Sequence, residues 1–125
     1  MSEANKAASR AAFDAWSTGR LDLLDRFVSP TVVHHDPYDP HGAEGLAGMK
    51  KTIERNRARY PDLRIAVEDQ LAENDKVATR WTSTMTHNGK RVTLAGITID
   101  RFENGLIVEA WRSRDMLSFL RQIES

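Results

Sequence analysis

The chain of 125 residues contains no cysteine, which excludes a disulfide framework, thiolate zinc sites and cysteine nucleophiles and is compatible with a reducing compartment. It also lacks an excess of charge of either sign, because 18 lysines and arginines balance 18 aspartates and glutamates. Without a net field to draw a polyanion, neither nucleic acid nor an anionic membrane is the expected partner; a neutral small molecule or another protein is. No stretch approaches the roughly 18 apolar residues that a membrane span needs. The opening segment Met1 to Lys6 lacks the apolar core of a secretion signal, so a cytoplasmic protein is expected. Repeats, linkers and low-complexity tracts are missing as well. A chain of this length buries roughly two thirds of its unfolded surface, enough for one core, and residues 1–125 are read as a single domain.

What is present is a change of period along the chain. Ala7, Ala8, Ala11, Ala12, Ala15 and Trp16 recur at helical spacing, with Gly19 placed to end the helix in a left-handed cap. Leu21, Leu24, Phe27 and Val28 continue the pattern in a shorter helix that Ser29-Pro30 closes, and the β-branched run Thr31 to Val33 predicts a short strand. Asp36 to Gly42 reads as a loop. Leu46, Met49, Ile53, Arg57 and Tyr60 mark a third helix ended by Pro61. Beyond Pro61 the period becomes two: Leu63, Ile65 and Val67 alternate with polar residues, and Val77 to His87 forms a second extended run. Asn88-Gly89 predicts a tight hairpin turn, so Val92 to Phe102 is the antiparallel partner. Asn104-Gly105 supplies another turn before a strand from Leu106 to Arg112, and Met116, Leu117, Leu120 and Ile123 suggest a closing helix. Helices followed by a meander of strands give the α+β class.

Several segments in this order are similar to one known pattern: His34-His35-Asp36-Pro37 with Gly42, Tyr60-Pro61-Asp62-Leu63, Val77 to Trp81, Thr86-His87, and Arg101 to Trp111 followed by Asp115. Together they resemble the SnoaL-like polyketide cyclases of the nuclear transport factor 2-like superfamily, over nearly the whole chain. The resemblance implies a cone-shaped fold, a curved antiparallel sheet with N-terminal helices closing its concave face around a hydrophobic pocket, and a homodimer formed through the sheet. It also implies cofactor-free aldol cyclisation of polyketide esters, although the wider superfamily includes ketosteroid isomerases, limonene epoxide hydrolases and non-catalytic binding modules.

Among the candidate residues, Asp115 matches in position the family's acid/base aspartate. Period two places it on one strand face with Glu109, Trp111 and Ser113; an aspartate before Met116-Leu117 is equally an ordinary helix N-cap. Asp36 shares a strand face with His34 and matches the general base of the ketosteroid isomerases, and it is also a natural Asp-Pro turn residue. His34, His35, Asp36 and His41 offer imidazoles and a carboxylate, but three ligands would have to converge across a Pro-rich loop, so no metal is expected. Arg80 stands in a row with Thr82, Thr84 and Thr86, either lining a pocket or lying on an exposed face. The arginine and aspartate two apart that limonene epoxide hydrolases carry on this strand are not matched, nor is the first-helix tyrosine of the isomerases. His87 adjoins the hairpin turn, where it either helps move protons at a pocket mouth or is solvated surface. Trp16, Trp81, Trp111, Phe13 and Met49 are expected as cavity walls. The expected activity is proton abstraction next to a carbonyl of a small hydrophobic ligand, without cofactor, by Asp115 or Asp36, with His34, Arg80 and His87 orienting the enolate. A non-catalytic ligand-binding or dimerisation module of the same fold is the alternative.

Overall fold

Small residues let the first helix lie close to what it covers: Ala8, Ser9, Ala12, Phe13, Ala15 and Trp16 form the buried face of α1 (Ser2–Thr18). In this computed structural model, which describes residues 2–38 and 44–124, α1 ends at Gly19, whose φ of 78° is the left-handed cap the sequence predicts. The last carbonyls of α1 find a donor in Arg57, whose Nη1 bonds Trp16 O and Ser17 O at 3.0 and 2.8 Å. That guanidinium also reaches Leu63 O at 3.1 Å, so one side chain ties α1 to α3 (Gly45–Arg59) and to the start of the sheet.

Between these helices run α2 (Asp22–Phe27) and β1 (Val28–His35). The strand begins earlier than Thr31 because Pro30 is tolerated within it. β1 lies at one edge of the five-stranded sheet, in the order β1-β5-β4-β3-β2, where a missing backbone donor costs no interior hydrogen bond. The four later strands are β2 (Arg64–Glu73), β3 (Lys76–His87), β4 (Lys90–Glu103) and β5 (Leu106–Arg114), and helix α4 (Met116–Glu124) closes the chain. They form the expected antiparallel meander. Asn88-Gly89 and Asn104-Gly105 both adopt positive φ, as the hairpin reading requires. One pairing departs from antiparallel order, since β1 runs parallel to β5 and makes the curved sheet mixed.

The fold is α+β, with helices on the concave face and a bare convex face. Val77, Trp81 and Met85 of β3, Val92, Leu94 and Phe102 of β4, and Ile107 of β5 join Phe13, Trp16, Leu24, Ile53 and Tyr60 in one buried cluster. Each large side chain so buried contributes about 1.5–3 kcal/mol. The residues between them on β3, among them Arg80, Thr82, Thr84 and Thr86, point to the other face. No helix among the described residues is long and apolar enough to cross a membrane.

Candidate functional site

Where α1, α3, α4 and the concave sheet meet, the side chains do not fill the space, and a cavity of about 380 Å³ remains. That volume lies in the range of small-molecule sites. Phe13 and Trp16 of α1, Trp81 and Met85 of β3 and Leu94 of β4 form apolar wall, and α4 contributes Met116, Phe119, Leu120 and Ile123. The polar lining is concentrated in Tyr38, Asn56, Arg59, Tyr60, Ser83, Arg112 and Arg114. Trp81 is locked in place by its Nε1 donating to Thr98 Oγ1 at 2.9 Å.

The strongest electrostatic feature adjoins this cavity. The Asp36 carboxylate, 2 % exposed, lies 3.0 Å from Arg114 Nη2 and 3.6 Å from Arg112 Nη1. Its Oδ1 also accepts the Tyr38 backbone N–H at 2.9 Å, the Asp-Pro turn bond foreseen from the sequence. Its other oxygen, Oδ2, is buried and has no hydrogen-bond partner among the described residues, and neither has Arg114 Nε. Arg112 lies over the Trp16 ring at 5.1 Å and Arg114 over Tyr38 at 5.5 Å, so aromatic faces fix both guanidiniums.

Behind Arg112 is a second acid. Asp100 of β4 is fully buried beside a void of about 20 Å³ that His34, Met49, Thr98 and Arg112 also line. Burial pushes the Asp100 carboxyl up to about 6, against the opposing pull of the Ser9 hydroxyl, 2.8 Å away, and of the Arg112 charge. Because the folded value lies above the ordinary 3.8, the protonated form is favoured by folding. The associated stability is present below that lower value and is lost as pH rises through about 6. Asp100→Asn removes the titration. Urea unfolding of both proteins from pH 4 to 8 should show the native chain losing on the order of 2 kcal/mol relative to the variant across that window. Parallel profiles would rule the coupling out.

The sequence-predicted residues divide between these places and the outside. Phe13, Trp16 and Trp81 line the cavity, whereas Met49 and His34 lie at the smaller void. His87 is half-buried at the sheet edge, its Nδ1 3.1 Å from the Tyr60 hydroxyl. Arg80 is exposed on the convex face with its threonine row. Trp111 is also on that face, stacked on His35 at 5.4 Å; His35 Nε2 in turn meets Glu109 at 2.7 Å. Asp115 does not reach the cavity. It is exposed, and its Oδ1 accepts the Ser118 backbone N–H at 3.1 Å, the N-cap geometry of α4. Asp115→Ala should therefore cost about 1 kcal/mol of stability in thermal or urea unfolding and leave ligand binding in the cavity unchanged. His41 lies outside the described residues, and among the described ones no three histidine or acidic side chains form a group able to hold a metal ion.

Glu109, Trp111 and Ser113 share one face of β5 as period two requires, and the register of the strand explains why that face is the outer one. β5 pairs Phe102 with Ile107 but Arg101 with Glu109, so the register shifts at Val108. Such a bulge exchanges the two faces of a strand. Ile107 is buried before it and Ala110 after it, so Arg112 and Arg114 face inward and Glu109, Trp111 and Ser113 outward.

The sequence profile of the SnoaL-like polyketide cyclases matches residues 6–123. The chain belongs to this family. Among solved structures, AclR from Streptomyces galilaeus is 29% identical with a TM-score of 0.83, the match covering 99% of this chain and 98% of AclR. A SnoaL-like polyketide cyclase from Agrobacterium tumefaciens is 25% identical at a TM-score of 0.80, over 95% of this chain and 97% of that one. TsrD from Streptomyces laurentii, 24% identical over 98% of this chain and 96% of its own, shares the fold at a TM-score of 0.85. Among curated proteins none matches. In this chain Arg112 and Arg114 line the cavity, and Asp36 pairs with both.

Proposed function

We propose that this SnoaL-like protein is a cofactor-independent enzyme of cyclase or isomerase type, acting next to a carbonyl of a ligand held in the 380 Å³ cavity. The observation that carries the reading is the buried Asp36 oxygen without a hydrogen-bond donor among the described residues, set beside two arginines that line the cavity. In the reaction, the proton on the carbon next to the carbonyl moves to Asp36 Oδ2, and the electron pair of that C–H bond passes into the carbonyl as an enolate. Arg112 and Arg114 are placed to stabilise the developing negative oxygen. The enolate carbon then attacks a second carbonyl of the same molecule, and the proton returns from Asp36 to the new alkoxide, which closes the ring with no external reactant. Where the ligand carries instead a carbon–carbon double bond one position further from the carbonyl, the proton returns to the far carbon of the dienolate, which moves the double bond into conjugation and is isomerisation. Asp36 takes the role in preference to Asp115, whose carboxylate is committed to α4.

A second reading is favoured by a specific observation as well. Asp36 is already paired with two guanidiniums and is not itself part of the cavity lining, which is what a structural ion pair in a ligand-binding module would look like. Deuterium incorporation separates the two. Cyclic ketones incubated in D2O with the protein should exchange the hydrogens next to the carbonyl faster than buffer alone, followed by NMR. The acceleration should vanish in Asp36→Asn and persist in Asp115→Ala. Binding of ketones, seen by quenching of Trp16 and Trp81, with no exchange above buffer across the panel would leave the binding module as the function.

The same reading includes a homodimer through the convex face. Val33, Ile97 and Ile99 are exposed there, and Trp111 pairs in register with Ile99 and His35, a continuous apolar patch suited to a second copy. Light scattering at two concentrations measures the mass directly.

A further inference from the structure

We infer that the ligand of the cavity is an anion, an amphipathic acid with an aromatic or polycyclic body and a carboxylate head, rather than a neutral ester. The inference rests on the cavity being the ligand site and specifies the chemistry of what enters it. Three arginines, Arg59, Arg112 and Arg114, are in the lining, and no aspartate or glutamate is among the described lining residues. The two buried acids nearby are spoken for: Asp36 by Arg112 and Arg114, and Asp100 by the Ser9 hydroxyl and the Arg112 charge. That leaves Arg59. It lies over the Tyr60 ring at 5.5 Å and has no carboxylate partner among the described residues, so the wall keeps one positive charge over.

A second observation is independent of charge counting. Arg114 Nε is a buried donor with no acceptor among the described residues, and burial without a partner is unfavourable for a polar group. Arg114 holds Asp36 through Nη2, and a planar carboxylate is the acceptor whose geometry suits a guanidinium with hydrogen-bonding capacity left over. An ester oxygen accepts more weakly and brings no charge. Phe13, Trp16, Trp81, Leu94 and Phe119 of the same lining offer apolar surface for rings, and Arg112 lies over the Trp16 ring at 5.1 Å, so acid head and ring body both find partners in one cavity.

The probe pair is anthracene-2-carboxylate and its methyl ester, titrated against the full chain by quenching of the tryptophans. The acid should bind at least tenfold more tightly than the ester and should weaken as sodium chloride is raised, with the ester insensitive to salt. Arg59→Gln should remove most of that preference; Arg59 is exposed, so the variant is expected to fold, and its ester affinity serves as the check. Arg114→Met is the second variant and should act in the same direction. If ester and acid bind equally, or the ester more tightly, the anion inference is overturned while the cavity stands as the ligand site. If neither binds, both are overturned.

Discussion

Asp36→Ala is expected to lower the unfolding free energy by about 3–5 kcal/mol, the range for removing one partner of a buried ion pair. The carboxylate side chain is 2 % exposed, and its two partners, Arg112 and Arg114, are 12 % and 18 % exposed. Deleting it leaves the Arg114 guanidinium near the cavity without its carboxylate and takes one of the acids from beside Arg112. It also removes the acceptor of the Tyr38 N–H, which sets the chain direction after β1. An exposed pair would cost no more than about 1 kcal/mol, so urea unfolding separates a buried keystone from a surface contact. Because the alanine chain is expected to be partly unfolded, Asp36→Asn reports on chemistry: it keeps the shape and an acceptor for Tyr38 and cannot take a proton. Retained deuterium exchange in that variant would remove Asp36 from the mechanism. A double variant, Asp36→Ala with Arg114→Met, should recover part of the stability, since the guanidinium left without its carboxylate is then gone.

The helices and hairpins of this fold were legible because local chemistry decides them. The alanine spacing of α1 and its Gly19 cap, and the Asn-Gly pairs at 88–89 and 104–105, demand one conformation each, and the structure adopts it. The parallel pairing of β1 with β5 was not legible, because nothing within Val28 to His35 says which strand, 70 residues and more away, will accept it. For the site, bulk was the better guide than period. Trp81, Phe13 and Trp16 lie in the cavity lining, and on β3 the large apolar residues mark the inner face, which puts Arg80 outside. On β5 alternation holds from Glu109 to Ser113, but the bulge at Val108 turns that face outward, so Trp111 lies on the convex side although the resemblance implied a cavity wall. A hint was available: Arg112 and Arg114 share a parity with each other and with Ala110, and Asp36, grouped with His34 from the sequence, is the acid they meet. Asp100 gave no such hint, because an aspartate in an amphipathic strand reads as surface until Ser9 is seen opposite it.

Gly96→Ala should cost about 3 kcal/mol and deform the cavity, although alanine is ordinarily the better strand residue by roughly 0.5–1 kcal/mol. Gly96 sits on β4 directly between Trp81 of β3 and Arg114 of β5. A Cβ there would come within 2.4 Å of Trp81 Cζ2 and 2.8 Å of Ser113 O. The indole has little freedom to retreat. It is 4 % exposed, its Nε1 is bonded to Thr98, and Phe13 lies 6.3 Å away across the core. The carbonyl belongs to the backbone of the neighbouring strand, so relief on that side means bending the sheet. The absent side chain is therefore what lets the indole lie flat across β4 and form the cavity wall. In Gly96→Ala the unfolding midpoint should fall, and ring ligands should bind less well as the indole is displaced into the space they occupy. Adding Trp81→Phe to Gly96→Ala distinguishes the two obstacles. Recovery of stability in the double variant would assign the clash to the indole, and no recovery would assign it to the Ser113 carbonyl and the curvature of the sheet.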